Sequence, residues 1–205
     1  MVLKMLAAAS LAALTALASS AQAAQIVQYA DSVTGFSSEY TASAWSAAQV
    51  LGAPDTFAYG DYSTAWAPDP SNGTLEFITV GFNTAVYATG ATIRETYGNG
   101  FVYQVDAVDT FGNLHTVWSG TDTSMAGAPV DFALSWAATS YLVNGLKIYT
   151  DTNHDLGAWE EIDAIQLAGS TDPAAVPEPA TLAAMGLGLL ALVAGRRNAG
   201  KRKTM

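Results

Sequence analysis

Every Trp, Tyr and Phe in the 205-residue chain lies between Tyr29 and Trp159. Large aromatic side chains dominate protein cores, so a globular core can be built only from that middle stretch. The two ends are apolar in a different way. Residues 1–23 carry one charge, Lys4, followed by the Ala/Leu run from Met5 to Ala18 and the small-residue sequence Ala21-Gln22-Ala23. A charged start, a short apolar run and an A-x-A ending describe a secretory signal peptide. At the other end, Val176-Pro177-Glu178-Pro179 leads into an apolar stretch from Ala180 to Ala194. The basic residues Arg196, Arg197, Lys201, Arg202 and Lys203 follow. That stretch, expected as a hydrophobic helix, is shorter than the about 20 residues of an ordinary membrane span. The positive-inside tendency would hold the basic cluster in the cytoplasm.

The charges segregate along the same boundaries. The whole chain has a net charge of −10, yet between residues 24 and 176 the only cations are Arg94 and Lys147. The same stretch holds every acidic residue except Glu178. A strongly acidic folded part excludes nonspecific nucleic-acid binding and repels anionic surfaces unless cations bridge them. The absence of cysteine removes disulfides, thiolate zinc sites and cysteine nucleophiles. The expected organisation is therefore residues 1–23 as signal peptide, 24–172 as the folded domain and 173–205 as the C-terminal segment.

The middle is punctuated like an all-β domain. Leu75–Phe82 is rich in β-forming residues, bounded by Asn72-Gly73 and Asn83-Thr84. Val86–Glu95, Phe101–Val108, Leu114–Trp118, Val130–Trp136, Tyr141–Tyr149 and Glu161–Leu167 follow, separated at several points by glycine-containing turns. Phe101, Tyr103, Val105 and Ala107 alternate with Gln104 and Asp106, the period of a half-buried strand. Seven or eight such strands without a long helical period predict a jelly-roll β-sandwich. Ser46–Leu51 is expected to form a short helical turn.

Two resemblances follow from these residues. Val176-Pro177-Glu178-Pro179-Ala180-Thr181-Leu182, the Gly-Leu-Gly-Leu-Leu core and the terminal basic cluster resemble the PEP-CTERM sorting signal of Gram-negative bacteria. The resemblance implies export through the Sec machinery, transient anchoring in the inner membrane and processing by a membrane-embedded exosortase. Its usual setting is an organism that makes exopolysaccharide. In the middle, Trp45–Asp55, Thr64-Ala65-Trp66, Glu76–Phe82, Ile93–Tyr97 and Glu161–Leu167 occur in an order that resembles the galactose-binding-like, or discoidin-like, jelly roll. They are closest to its scarf-like variant in pappalysin-type metalloproteases. This second resemblance implies a domain that binds carbohydrate, lipid or protein through loops at one sandwich end.

Candidate chemistry is sparse. His115 and His154 are the only imidazoles, and no Gly-x-Ser-x-Gly elbow, H-E-x-x-H helix or phosphate-binding glycine loop is present. Binding is therefore expected rather than catalysis, with a hydrolase the least favoured reading. Calcium takes six to eight oxygen ligands, which acidic loops supply. The resemblance implies a structural calcium at Asp55, Asp61 and Thr64, completed by Glu161, although the Asp-Gly-Asp spacing usual for that loop is absent. Asp151-x-Asn153-x-Asp155 resembles the start of an EF-hand loop, but Leu156 replaces its glycine and Ile162 its final glutamate. Both clusters also suit plain polar turns.

For a glycan, aromatic faces stack on sugar CH groups while polar neighbours fix hydroxyls. Trp45, Tyr59, Tyr62, Trp66, Tyr97 and Trp159 lie in or beside expected loops, and Trp66 is expected to plug the sandwich end. Tyr97, with Arg94 and Asn99, is the expected ligand-facing group. Arg94 also suits a structural pair with Glu95 or a neighbouring strand. The reading is an exported surface or matrix protein whose sandwich binds extracellular polysaccharide. The alternative is a structural or adhesive coat component that recognises a surface protein.

Overall fold

The computed structural model describes residues 24–173. The expected signal peptide, the Val176–Pro179 motif, the apolar stretch and the basic cluster lie outside the described residues. Among the described residues no helix is long and apolar enough to cross a membrane.

The described chain is all-β. Its strands are β1 (Ile26–Tyr29), β2 (Ser32–Phe36), β3 (Leu75–Tyr97), β4 (Val102–Asp109), β5 (Leu114–Ser119), β6 (Val130–Ser135), β7 (Leu142–Asp151) and β8 (Glu161–Ser170). A 3-10 turn covers Ala47–Val50, inside the helical turn expected there. All pairings are antiparallel.

The expectation of two separate strands around Asn83-Thr84 is corrected: β3 runs unbroken through that dipeptide. Its first half pairs with β2 and β7, from Leu75 opposite Asp151 to Gly81 opposite Gly145. Its second half pairs with β8 and β6, placing Ile93 opposite both Ile165 and Phe132. The register with β7 jumps between Gly81 and Val86, and Asn83 and Thr84 are exposed at that jump. The polar dipeptide thus marks where the strand folds over from one layer to the other, and there the Gln28 side chain bonds both Thr84 N and Thr84 O. A jelly-roll β-sandwich results, with β2, β3, β7, β4 and β5 in one layer and β1, β8, β3 and β6 in the other.

The core lies between the layers. Ile78, Val80, Val86, Ile93, Val105, Leu146, Ile148, Ile162, Ile165 and Leu167 are wholly buried. Alternation explains most of this set, since one face of each strand meets the other layer. It fails in β4, where a register shift between Val102 and Gln104 buries both Phe101 and Val102 and leaves Tyr103 half-exposed beside Tyr149. The expected common face of Phe101, Tyr103, Val105 and Ala107 is therefore broken at the bulge. β1 and β2 escaped the sequence reading because neither has a sustained apolar alternation.

Strand direction gathers the long connections at one end. β3 starts beside the end of β7 and finishes beside the start of β8, while β6 begins opposite Glu95. Residues 37–74, 98–101, 120–129 and 152–160 therefore emerge together. Trp66 seals this end as expected: it is fully buried, bridges to Ile162 and donates its indole N–H to Ser38 O at 3.0 Å.

Candidate functional site

At the loop-bearing end, Tyr40, Trp45, Asp61, Ala67 and Trp159 border an open cavity of about 60 Å³. Tyr40 stands between the two indoles, 5.4 Å from Trp45 at 83° and 5.3 Å from Trp159 at 69°. The rings are thus set nearly at right angles, the edge-to-face arrangement that aromatic quadrupoles favour. Each ring is anchored by its backbone or its indole N–H. Tyr40 N donates to Ala67 O, and Ala67 N donates to Trp45 O. The Trp45 indole donates to Asp61 Oδ1 at 2.7 Å, and the Trp159 indole donates to Pro68 O at 2.9 Å. Trp45 adopts φ 54°, among the described residues the only left-handed conformation outside glycine. A bulky residue held there costs about 1–3 kcal/mol, which the surrounding hydrogen bonds must sustain.

Beneath this surface the strands present buried carboxyls to the loops. Glu161 and Asp163 lie two apart on β8, so both point inward. Glu161 accepts from Tyr62 N at 3.2 Å and meets Asp61; burial, reinforced by Asp61, pushes it up to about 9. Asp163 accepts from Asp55 N and Thr56 N and is also raised, first by burial. Glu160 is pushed up to about 7 by burial, with Asp155 and Asp151 adding to the rise. On β3, Glu95 faces Asp122 and is pushed up to about 10, again first by burial. Gly100 N occupies Glu95 Oε2 and Ser124 N occupies Asp122 Oδ1. Buried Glu95 Oε1 and Asp122 Oδ2 accept no hydrogen bond, and the two neighbouring carboxyls can share a proton.

The residues expected to hold calcium are divided. Asp61 meets Glu161, whereas Asp55 meets Asp163, and Thr64 Oγ1 bonds Thr56 Oγ1 at 2.6 Å. Among the described residues, no three acidic or imidazole side chains converge as metal ligands. The expected four are thus divided between two positions: β8 offers two carboxyls, and the loop matches each with a different partner. The Asp151–Asp155 segment serves as turns. Asp151 Oδ1 accepts from Asn153 N, Asp155 Oδ1 accepts from Gly157 N, and Asn153 Oδ1 accepts from Gly73 N.

Tyr97, Arg94 and Asn99 do not form one site. Arg94 points outward from β3 and pairs with Asp131 on β6 at 3.0 Å, as one of its sequence readings expected. Asn99 is buried and ties down the 120–129 loop through Met125 O and Ala128 O. Tyr97 is half-buried, edge-on to Tyr59 at 5.4 Å. Strand alternation and the tight Gly98-Asn99-Gly100 turn separate the three. Gly98 has φ 64°, and a Cβ there would lie 2.6 Å from Trp159 O, so this turn is packed directly under the niche. His115 bonds Asp109 at 2.9 Å and stacks on Tyr141. Among the described residues no hydroxyl hydrogen-bonds to either imidazole.

Tyr40 and the pairing of Trp45 with Asp61 are the features that sequence reasoning missed. Trp45 and Trp159 were legible as loop aromatics. Their meeting depends on two long connections emerging side by side.

Residues 18–176 match the family described as Pappalysin-1, SD scarf domain, C-terminal, and residues 175–198 match the PEP-CTERM protein-sorting motif. No curated protein matches the chain. Among solved structures, reduced XRCC1 bound to the DNA pol beta catalytic domain is similar with a TM-score of 0.52 and 11% identity, covering 71% of this chain and 99% of that one. Allantoicase from Saccharomyces cerevisiae is similar with a TM-score of 0.50 and 12% identity, covering 70% of this chain and 43% of that one. The family 32 CBM from C. perfringens NanJ, solved with galactose, has a TM-score of 0.48 and 15% identity, covering 70% of this chain and 93% of that one. At these identities the first two likenesses concern the fold alone. The sorting motif marks a protein that is exported and sorted at the membrane by an exosortase. On the match to residues 18–176, the chain belongs to the Pappalysin-1 SD scarf domain family, with a PEP-CTERM motif behind the scarf domain.

Proposed function

We propose that the exported protein acts at the cell surface or in the extracellular matrix of a Gram-negative bacterium by binding polysaccharide through the loop-bearing end of its sandwich. The observation that supports this most is the aromatic niche of Tyr40, Trp45 and Trp159 with Asp61 beside it. Sugar rings offer apolar CH faces to such aromatic surfaces, and a neighbouring carboxylate accepts from hydroxyl or amine groups. The niche is shallow, which suits a residue within a long polymer more than an engulfed small molecule. Trp45 supports the same reading, because strain of this kind concentrates at binding surfaces.

Calorimetric titration of the exported, processed protein with exopolysaccharide from its own host tests the proposal. Saturable heat that disappears in Tyr40→Ala, with the fold intact by circular dichroism, is the expected result. Parallel titrations with calcium and with a chelator separate direct binding from cation bridging. Saturable binding to a surface protein alongside indifference to polysaccharide would favour the coat-component reading instead.

A further inference from the structure

We infer that the niche between Tyr40, Trp45 and Trp159 takes the protonated amine of an amino sugar, with Asp61 as its counter-charge. The inference rests on the polysaccharide-binding reading and narrows it to one class of sugar. Three rings and one carboxylate border the same cavity. An ammonium within about 6 Å of an aromatic centroid is attracted by the ring quadrupole, and a carboxylate at the same place adds a direct charge. Asp61 is held there by the Trp45 indole at 2.7 Å, so the carboxylate and one wall of the niche are oriented together.

The surroundings leave that charge uncompensated. Between residues 24 and 173 the cations are Arg94 and Lys147. Arg94 is paired with Asp131, and Lys147 Nζ lies over the Phe77 ring, 3.7 Å from its centroid. Glu161, buried behind Asp61, is held protonated by that burial and supplies no cation to it. A uronate-rich polymer would meet acid upon acid at this end of the sandwich, whereas a polymer of free amino sugars brings the missing cation. Neutral sugars would stack on the rings but leave Asp61 without its counter-charge.

Titration of the exported, processed protein with three tetrasaccharides tests this: glucosamine, N-acetylglucosamine and glucose. N-acetylation keeps the backbone and removes the cation. The expected result is that the glucosamine tetramer binds about ten-fold tighter than the acetylated one. Asp61→Asn should erase that preference, and Tyr40→Ala should abolish binding, both with unchanged circular dichroism. Raising the salt should weaken the glucosamine complex more than the acetylated one. If the acetylated or glucose tetramer binds equally or better, this inference falls and the polysaccharide reading stands. If glucosamine binds Tyr40→Ala unchanged, the attraction is diffuse charge and the inference falls. If none of the three sugars binds and the host polysaccharide is also ignored, both readings fall.

Discussion

At the scale of single residues, the unusual feature is how many carboxyls are buried where strands meet loops. Glu95, Glu160 and Glu161 are completely inaccessible to solvent. A buried carboxylate without a cation is costly, and the usual escape is protonation. Glu95 displays the logic most cleanly, because it is wholly buried beside Asp122 and its value rises from 4.5 to about 10. The folded chain then keeps a proton that the unfolded chain releases above about pH 4.5. The stabilising contribution is fully present below that pH and is lost as pH rises towards 10. Melting temperature should therefore fall between pH 6 and pH 9. In Glu95→Gln, whose amide can donate to Asp122 without titrating, the fall should be visibly smaller. A scan at both pH values checks it, and parallel slopes in the two proteins would refute the shared proton.

At the scale of elements, β3 organises the molecule. Its alternation sends Ile93 into the core and Arg94 to the outer surface one residue later. Replacing Ile93 by Ala should cost about 2–5 kcal/mol, through lost burial and an unfilled cavity. Replacing Arg94 by Ala should cost no more than about 1 kcal/mol, because its partner Asp131 is largely exposed and the pair is screened by solvent. Urea denaturation of the two variants distinguishes these costs. The same strand shows why part of the fold was hidden. Its apolar alternation was legible on both sides of Asn83-Thr84, but the dipeptide resembles a turn. Only the change of partners from β2 and β7 to β8 and β6 reveals a strand that folds over. In β4, a bulge shifted the burial by one residue in a way that no periodic count can anticipate.

At the scale of the whole molecule, the chain separates into parts with different lives. The sorting motif and the scarf domain abut at residues 175 and 176, so processing can remove the tail without touching β8, which ends at Ser170. Mass spectrometry of the exported form should find an N-terminus near Ala24 and a chain ending near Pro177–Pro179. A mature protein that still carries Arg196 to Met205 would contradict this. If the basic cluster leaves with the tail, the remaining domain is far more acidic than the full chain. Ionic strength should then matter to its partners more than to its fold.

The amino-acid order alone determined whatever is local or linear. A processing enzyme reads the sorting motif along the chain, and strand periodicity and charge segregation are likewise properties of neighbouring residues. The β-sandwich and the burial of Trp66 belong here too, since both follow from apolar alternation and bulk. Tertiary structure decided what is built from distant residues. Tyr40, Trp45, Asp61 and Trp159 meet because β3 folds over and brings the 37–74 and 152–160 connections to one end. The division of Asp55 and Asp61 between Asp163 and Glu161 was settled in the same way. Contacts between loops depend on where each strand ends in space, and sequence spacing carries no record of that.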